Sequence, residues 1–155
     1  MKEKFLPFIL KFTLVSLVLF ALWHWKGEYY YFIFFFFPIV PPILYFLGLK
    51  FSPVRILIPF FHNFLPFISL ILITRGIKIQ ARFQKLLFGL FLIFLWQVLL
   101  AEILFLIFGQ TKDPTTIGLV SKIIYLSFLL LNWCIPFILW LILARKSLYN
   151  WFISK

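Results

Sequence analysis

Long apolar runs alternate with short polar breaks along the chain, marking off five segments: Phe5 to Trp25, Tyr29 to Leu49, Ile56 to Thr74, Leu86 to Phe108 and Ile123 to Leu143. Each has roughly the 17 to 25 residues a helix needs to cross a hydrocarbon core. Membrane-spanning strands would be runs of about ten residues with alternating polarity. The pattern therefore predicts an all-α, polytopic helical membrane protein with five hydrophobic helical segments in a single domain, residues 1–155. Pro38, Pro41 and Pro42 interrupt the second segment. It either spans or re-enters, because irregular backbone at membrane depth persists only where protein or water satisfies it.

Composition excludes a soluble fold. Of the 155 residues, 65% are apolar and 12% charged, and mean hydropathy is +1.11. A soluble domain of this size leaves about 30% of its chain's surface in water and needs a charged exterior. The N-terminal stretch has the basic start and apolar centre of a signal peptide but runs into Trp23-His24-Trp25-Lys26 with no small-residue cleavage site, so it reads as a retained anchor. Trp23, Trp25, Tyr29, Tyr30, Tyr31, Tyr149 and Trp151 stand at segment ends, as an interfacial aromatic belt would.

A net charge of +11 would suggest nucleic acid in a soluble protein, but here the basic residues fall between apolar runs. They read as topology signals and contacts to the head groups of anionic lipid. Arg75, Lys78, Arg82 and Lys85 crowd one short connection without an acid, which predicts a cytoplasmic loop. Their spacing of three and four would put them on one side of a short helix.

If all five segments span, the chain starts outside. The inside then holds 8 basic residues (Lys26, the four of the loop, Arg145, Lys146 and Lys155) against 6 outside (Lys2, Lys4, Lys50, Arg55, Lys112 and Lys122). If the second segment re-enters, both ends lie inside; Lys2 and Lys4 move in, Lys26 moves out, and the balance is 9 to 5.

Candidate chemistry is sparse. Cys134 is the sole cysteine and has no Lys, Arg or His within two helical turns to activate it, so it reads as a small packing residue beside Pro136. His24 and His62 do not make a metal site, and nothing in the chain asks for a cofactor. Glu102 is the one acid inside a span; an intramembrane carboxylate normally faces a partner or a wet cavity. It is either a contact residue or a carboxylate satisfied by Gln97, Asn132 or water. His62 and Asn63 open the third segment and suit helix-end capping. Together His62, Asn63, Gln97, Glu102 and Asn132 are the candidates for a polar cavity. Equal rises from the basic loop leave His62 and Glu102 offset by about 6 Å, close enough for a contact if their faces agree.

Around this hairpin the sequence resembles the exosortase and archaeosortase family, polytopic membrane proteases proposed to cut and transfer C-terminal sorting signals. His62-Asn63-Phe64 stands where that family has a cysteine motif. Arg82 to Gly89 resembles its Arg-x-x-x-Leu-x-x-Gly turn, and Gln97-Val98-Leu99-Leu100 takes the place of its Asn-x-x-Arg. The family's Cys, Arg and later His are replaced, so the likeness is to the small membrane proteins associated with exosortases. It implies a non-catalytic accessory protein of the inner membrane, packed on a larger membrane protein in envelope protein sorting, with no catalytic residue carried over. A membrane enzyme or carrier for a lipid-like or peptide substrate, and a structural subunit holding lipid or pigment, are the alternatives.

Overall fold

The computed structural model describes residues 2–48, 62–108 and 118–153, all in helices or their connections. Three helices are long and apolar enough to cross a membrane: Phe5–Phe46, Ile79–Ile107 and Leu119–Trp151. The exterior is correspondingly apolar, with Leu14, Phe34, Phe91, Leu99, Leu130 and Ile142 all exposed. This is a helical membrane protein by composition and by surface, since only lipid accepts such an exterior. Among the described residues the five expected segments are not five separate helices.

The first two of them form one continuous helix, α1, from Lys2 to Phe46. It is α-helical over Lys2–Leu22, Glu28–Tyr31 and Phe37–Phe46, with π-helical turns at Trp23–Gly27 and Phe32–Phe36. The polar stretch Trp25-Lys26-Gly27-Glu28, expected as a connection, is helical throughout; Glu28 N–H bonds the carbonyl of Trp23 across the first π turn. Backbone beside lipid must bond within its own segment, and a widened turn keeps the ladder closed where a loop would open it. Pro38 follows the second π turn, in the first turn of the last α-helical section. There its missing N–H and its ring interfere least with the preceding turn. The proline cluster therefore does not re-enter. α1 is followed by a turn closed at Gly48, whose φ of +74° suits glycine and whose N–H bonds the carbonyl of Tyr45.

Helix α2, Phe64–Ile73, has only ten residues, about 15 Å, half a hydrocarbon thickness. The earlier part of the third expected segment, 56–61, lies outside the described residues. A tight connection containing Gly76 (φ +79°) leads to α3, Ile79–Phe108, and α4 is Leu119–Ile153, continuous through the buried Pro136.

Side-chain contacts set the directions. Ser16 of α1 bonds Ser69 of α2 at 2.9 Å, Trp23 of α1 packs on Phe64 at 4.6 Å, and Phe8 stacks between Trp140 and Trp151 of α4 at 5.9 and 5.3 Å. Lys85 of α3 donates to the carbonyl of Leu143 in α4, and Trp96 donates to Asn132 at 3.1 Å. The helices thus run alternately up and down. The start of α1, the Thr74–Lys78 connection and the end of α4 share one end of the bundle, and Lys26 sits part-way along a helix, belonging to neither end.

In the half nearer that end, α2 fills the space among α1, α3 and α4. Phe67 and Ile71 of α2 pack with Ile93 in one cluster. Gly89 makes this close approach possible: a Cβ there would lie 2.0 Å from the Phe67 ring. In the other half α1 packs directly on α3, placing Phe36, Val40 and Leu44 against Leu100, Ala101, Leu104 and Phe105.

A hydrogen-bonded polar layer and its surroundings

Where the two halves meet, all four helices contribute to one chain of hydrogen bonds. The Tyr31 hydroxyl donates to Gln97 Oε1, Gln97 Nε2 donates to Asn63 Oδ1 at 2.5 Å, and Asn63 Nδ2 donates to Asn132 Oδ1 at 2.7 Å. Trp96 Nε1 donates to the same Asn132 oxygen. Asn63, Gln97 and Asn132 are buried to within 2% of full coverage. Asn63 occupies the N-cap of α2, but its side chain makes no capping bond; the amide reaches across to α3 and α4 instead. That departs from the capping expectation for a physical reason. A buried amide offers two donors and two acceptor sites, and neighbouring helices can use more of them than one helix end can.

The five cavity candidates are only partly brought together. Asn63, Gln97 and Asn132 meet; His62 turns toward α1, its ring 6.1 Å from both Phe20 and Trp23 and 5.6 Å from His24. Glu102 stands further along α3, 9% exposed, with neither carboxylate oxygen hydrogen-bonded among the described residues. The helix faces do not bring His62 and Glu102 into a hydrogen bond: neither Glu102 oxygen has a hydrogen-bond partner among the described residues, and His62 lies against the aromatic surface of α1. Gln97 and Asn132, the alternative partners for Glu102 within the chain, bond Tyr31, Asn63 and Trp96 in the layer instead.

Two features of the layer escaped the sequence. Tyr31 reads from the sequence as part of an interfacial belt, and Trp96 as one more apolar side chain, although a polar tip beside Gln97 in a span is itself a signal that the indole needs an acceptor. Trp23, Trp25 and Tyr29 to Tyr31 lie mid-helix, so they are not segment ends.

The basic connection is two pairs of unlike residues. Arg75 and Lys78 are exposed. Arg82 and Lys85 lie in the opening turns of α3 and face inward: Arg82 Nη2 donates to the Thr74 carbonyl at 2.9 Å, and Lys85 to that of Leu143. Thr74 is a second polar knot, accepting the Trp140 indole N–H at 2.8 Å and donating to the Leu70 carbonyl. Cys134 is exposed on α4, a surface position where a packing role was expected. Among the described residues no group of three or more His, Cys, Asp or Glu could hold a metal ion.

On the outside of α1, beside the layer, His24, Lys26 and Glu28 form a small charged group. His24 Nδ1 lies 4.0 Å from Glu28 Oε2, and Lys26 is exposed. A concavity of about 540 Å³ runs along this face. Compared with family models, with curated proteins and with solved structures, the chain matches none.

Proposed function

We propose that this chain is a non-catalytic accessory protein of an inner membrane, whose helices pack on a larger membrane protein, in the role that the small exosortase-associated proteins would have in envelope protein sorting. The observation that supports this reading is the polar layer. Asn63, Gln97 and Asn132, three of the five polar-cavity candidates, use their side chains on one another and, with Tyr31, tie four helices at one level. The exposed pair Arg75 and Lys78 suits contact with anionic lipid head groups. Purification in mild detergent followed by mass spectrometry tests the reading. A stoichiometric second membrane protein is the expected result, and a monodisperse monomer with measurable turnover overturns it.

A second reading, a carrier or enzyme for a lipid-like or peptide substrate, has Glu102 in its favour, since a buried carboxylate without a hydrogen bond is costly to keep. Loss of activity on Glu102→Gln at normal abundance would favour it.

A further inference from the structure

The charged group on α1 lies at an unusual depth. Trp23 packs on Phe64, next to Asn63, and Tyr31 bonds Gln97; Lys26 lies between them in the helix and so is level with the polar layer. Gln97 is about 18 Å along α3 from Lys85 and about 17 Å from Phe108 at 1.5 Å per residue. In a hydrocarbon core about 30 Å thick, that is close to the middle. An intramembrane charge normally faces protein or a wet cavity, yet Lys26 faces outward and makes no hydrogen bond or ion pair with any described residue. Around it the surface is open: Trp25 is 76% and Tyr29 65% exposed, with Ile33 and Phe37 continuing the same face. Lys26 lies within the first π-helical turn, Trp23–Gly27, and the second, Phe32–Phe36, follows on the same helix; such distortions recur at functional sites.

Resting on the accessory reading, we propose that this face of α1 is the docking site for a transmembrane helix of the larger protein, and that the helix carries an Asp or Glu which pairs with Lys26. Charge complementarity chooses the occupant. A lipid phosphate stays at the membrane surface, well above this depth. A second copy offers Glu28, which lines the same concavity as Lys26 and approaches its own His24 only to 4.0 Å, and the buried Glu102. In the sequence Glu3 precedes the first apolar run and Asp113 falls between the fourth and fifth, so neither belongs to an apolar segment. On the accessory reading the occupant is a different chain with a carboxylate near mid-bilayer, and pairing with Glu28 of a second copy is the rival outcome of the test. The ion pair fixes its depth, while Trp25, Tyr29 and Ile33 supply the apolar contact.

The test uses the full chain in phosphatidylethanolamine/phosphatidylglycerol vesicles with a synthetic Leu/Ala helix bearing one central Glu, and its Gln twin as control. Energy transfer should show the Glu helix associating at least tenfold more tightly than the Gln helix, and Lys26→Gln should abolish the difference. Equal association of the two helices overturns the proposal. Self-association of the chain that depends on Lys26 and excludes the probe also overturns it, assigning the face to a second copy. A fluorophore at Tyr30→Cys, in a Cys134→Ser background, should be quenched by spin labels at the bilayer centre; quenching by aqueous iodide overturns the depth on which the pairing depends. If the native partner co-purifies undiminished with Lys26→Gln, the site falls and the accessory reading stands. A Glu-specific response in a chain that has no native partner keeps the site and removes that reading.

Discussion

Two sets of polar side chains lie at one depth in this bundle and are treated in opposite ways. Inside, Tyr31, Asn63, Trp96, Gln97 and Asn132 form a chain of donors and acceptors. Outside, Lys26 faces away from the bundle, and the His24–Glu28 approach beside it, at 4.0 Å, is longer than a hydrogen bond. In hydrocarbon neither set can turn to water. The inner set therefore reads as what holds the helices in register, and the outer set as a demand for something not in this chain.

The sharpest way to break the comparison is to remove the middle of the inner chain. Gln97→Leu deletes the acceptor of the Tyr31 hydroxyl and the donor to Asn63, leaving buried polar groups that lipid cannot satisfy. The expected loss is roughly 2 to 4 kcal/mol, two bonds of about 1 kcal/mol each and their stranded partners. Reversible unfolding in mixed micelles should read it, with Gln97→Glu or Gln97→Asn recovering part. A loss under about 0.5 kcal/mol would mean that apolar packing alone sets the register.

Glu102 tests the same contrast with the sign reversed. It is inside but outside the hydrogen-bonded chain, so its burial costs stability and no described hydrogen bond offsets it. Glu102→Leu should stabilise the fold by about 1 to 2 kcal/mol, since a carboxylic group in the membrane is unfavourable by a few kcal/mol and only part of that is recovered. Destabilisation would show that the carboxylate is held by a group at the chain's undescribed connections or by a bound species.

How far the sequence led can be judged on these residues. Continuous apolar runs and the exposed Leu and Phe they leave made the helical membrane class legible, because lipid is the only solvent that accepts them. Asn63, Gln97, Glu102 and Asn132 were legible as candidates for a polar cavity, because polar side chains within apolar runs are costly beside lipid. Which of them meet was not, because that depends on helix rotation. One turn of α-helix carries a side chain through a full circle in 3.6 residues, and an apolar-all-round segment has no stripe to fix its facing. The merging of the first two segments was hidden for another reason. Trp-Lys-Gly-Glu looks like a loop by composition, and Pro38, Pro41 and Pro42 look like a break. Two π turns carry the helix through the first and bring Pro38 to a first-turn position, while Pro41 and Pro42 lie inside the last α-helical section, which continues to Phe46.

The connection at the Thr74 end repeats the contrast on a smaller scale. Neutralising Arg82 with Arg82→Gln removes a charged donor from the Thr74 carbonyl, at the C-terminal end of α2 where the helix dipole also favours a cation. A loss of about 1 kcal/mol is expected, and α2 should fray before the rest of the bundle, visible as faster hydrogen exchange at Leu70 to Thr74.

Lys78 gives the smallest effect. It is exposed, one residue before α3, and its side chain has no hydrogen bond or ion pair within the described residues. Its expected contribution is to lipid head groups and to orientation, which the neighbouring cations share. Lys78→Gln should change stability by less than about 0.5 kcal/mol and leave the orientation intact, measured by the failure of an external reagent to label a cysteine at Ile79 in intact cells. Neutralising Arg75, Lys78, Arg82 and Lys85 together should scramble that orientation. If Lys78→Gln alone abolished association with a partner at unchanged abundance and orientation, the exposed pair would be a specific acidic-ligand site. The division between inward, bonded cations and outward, interchangeable ones would then fail at the position where it is easiest to check.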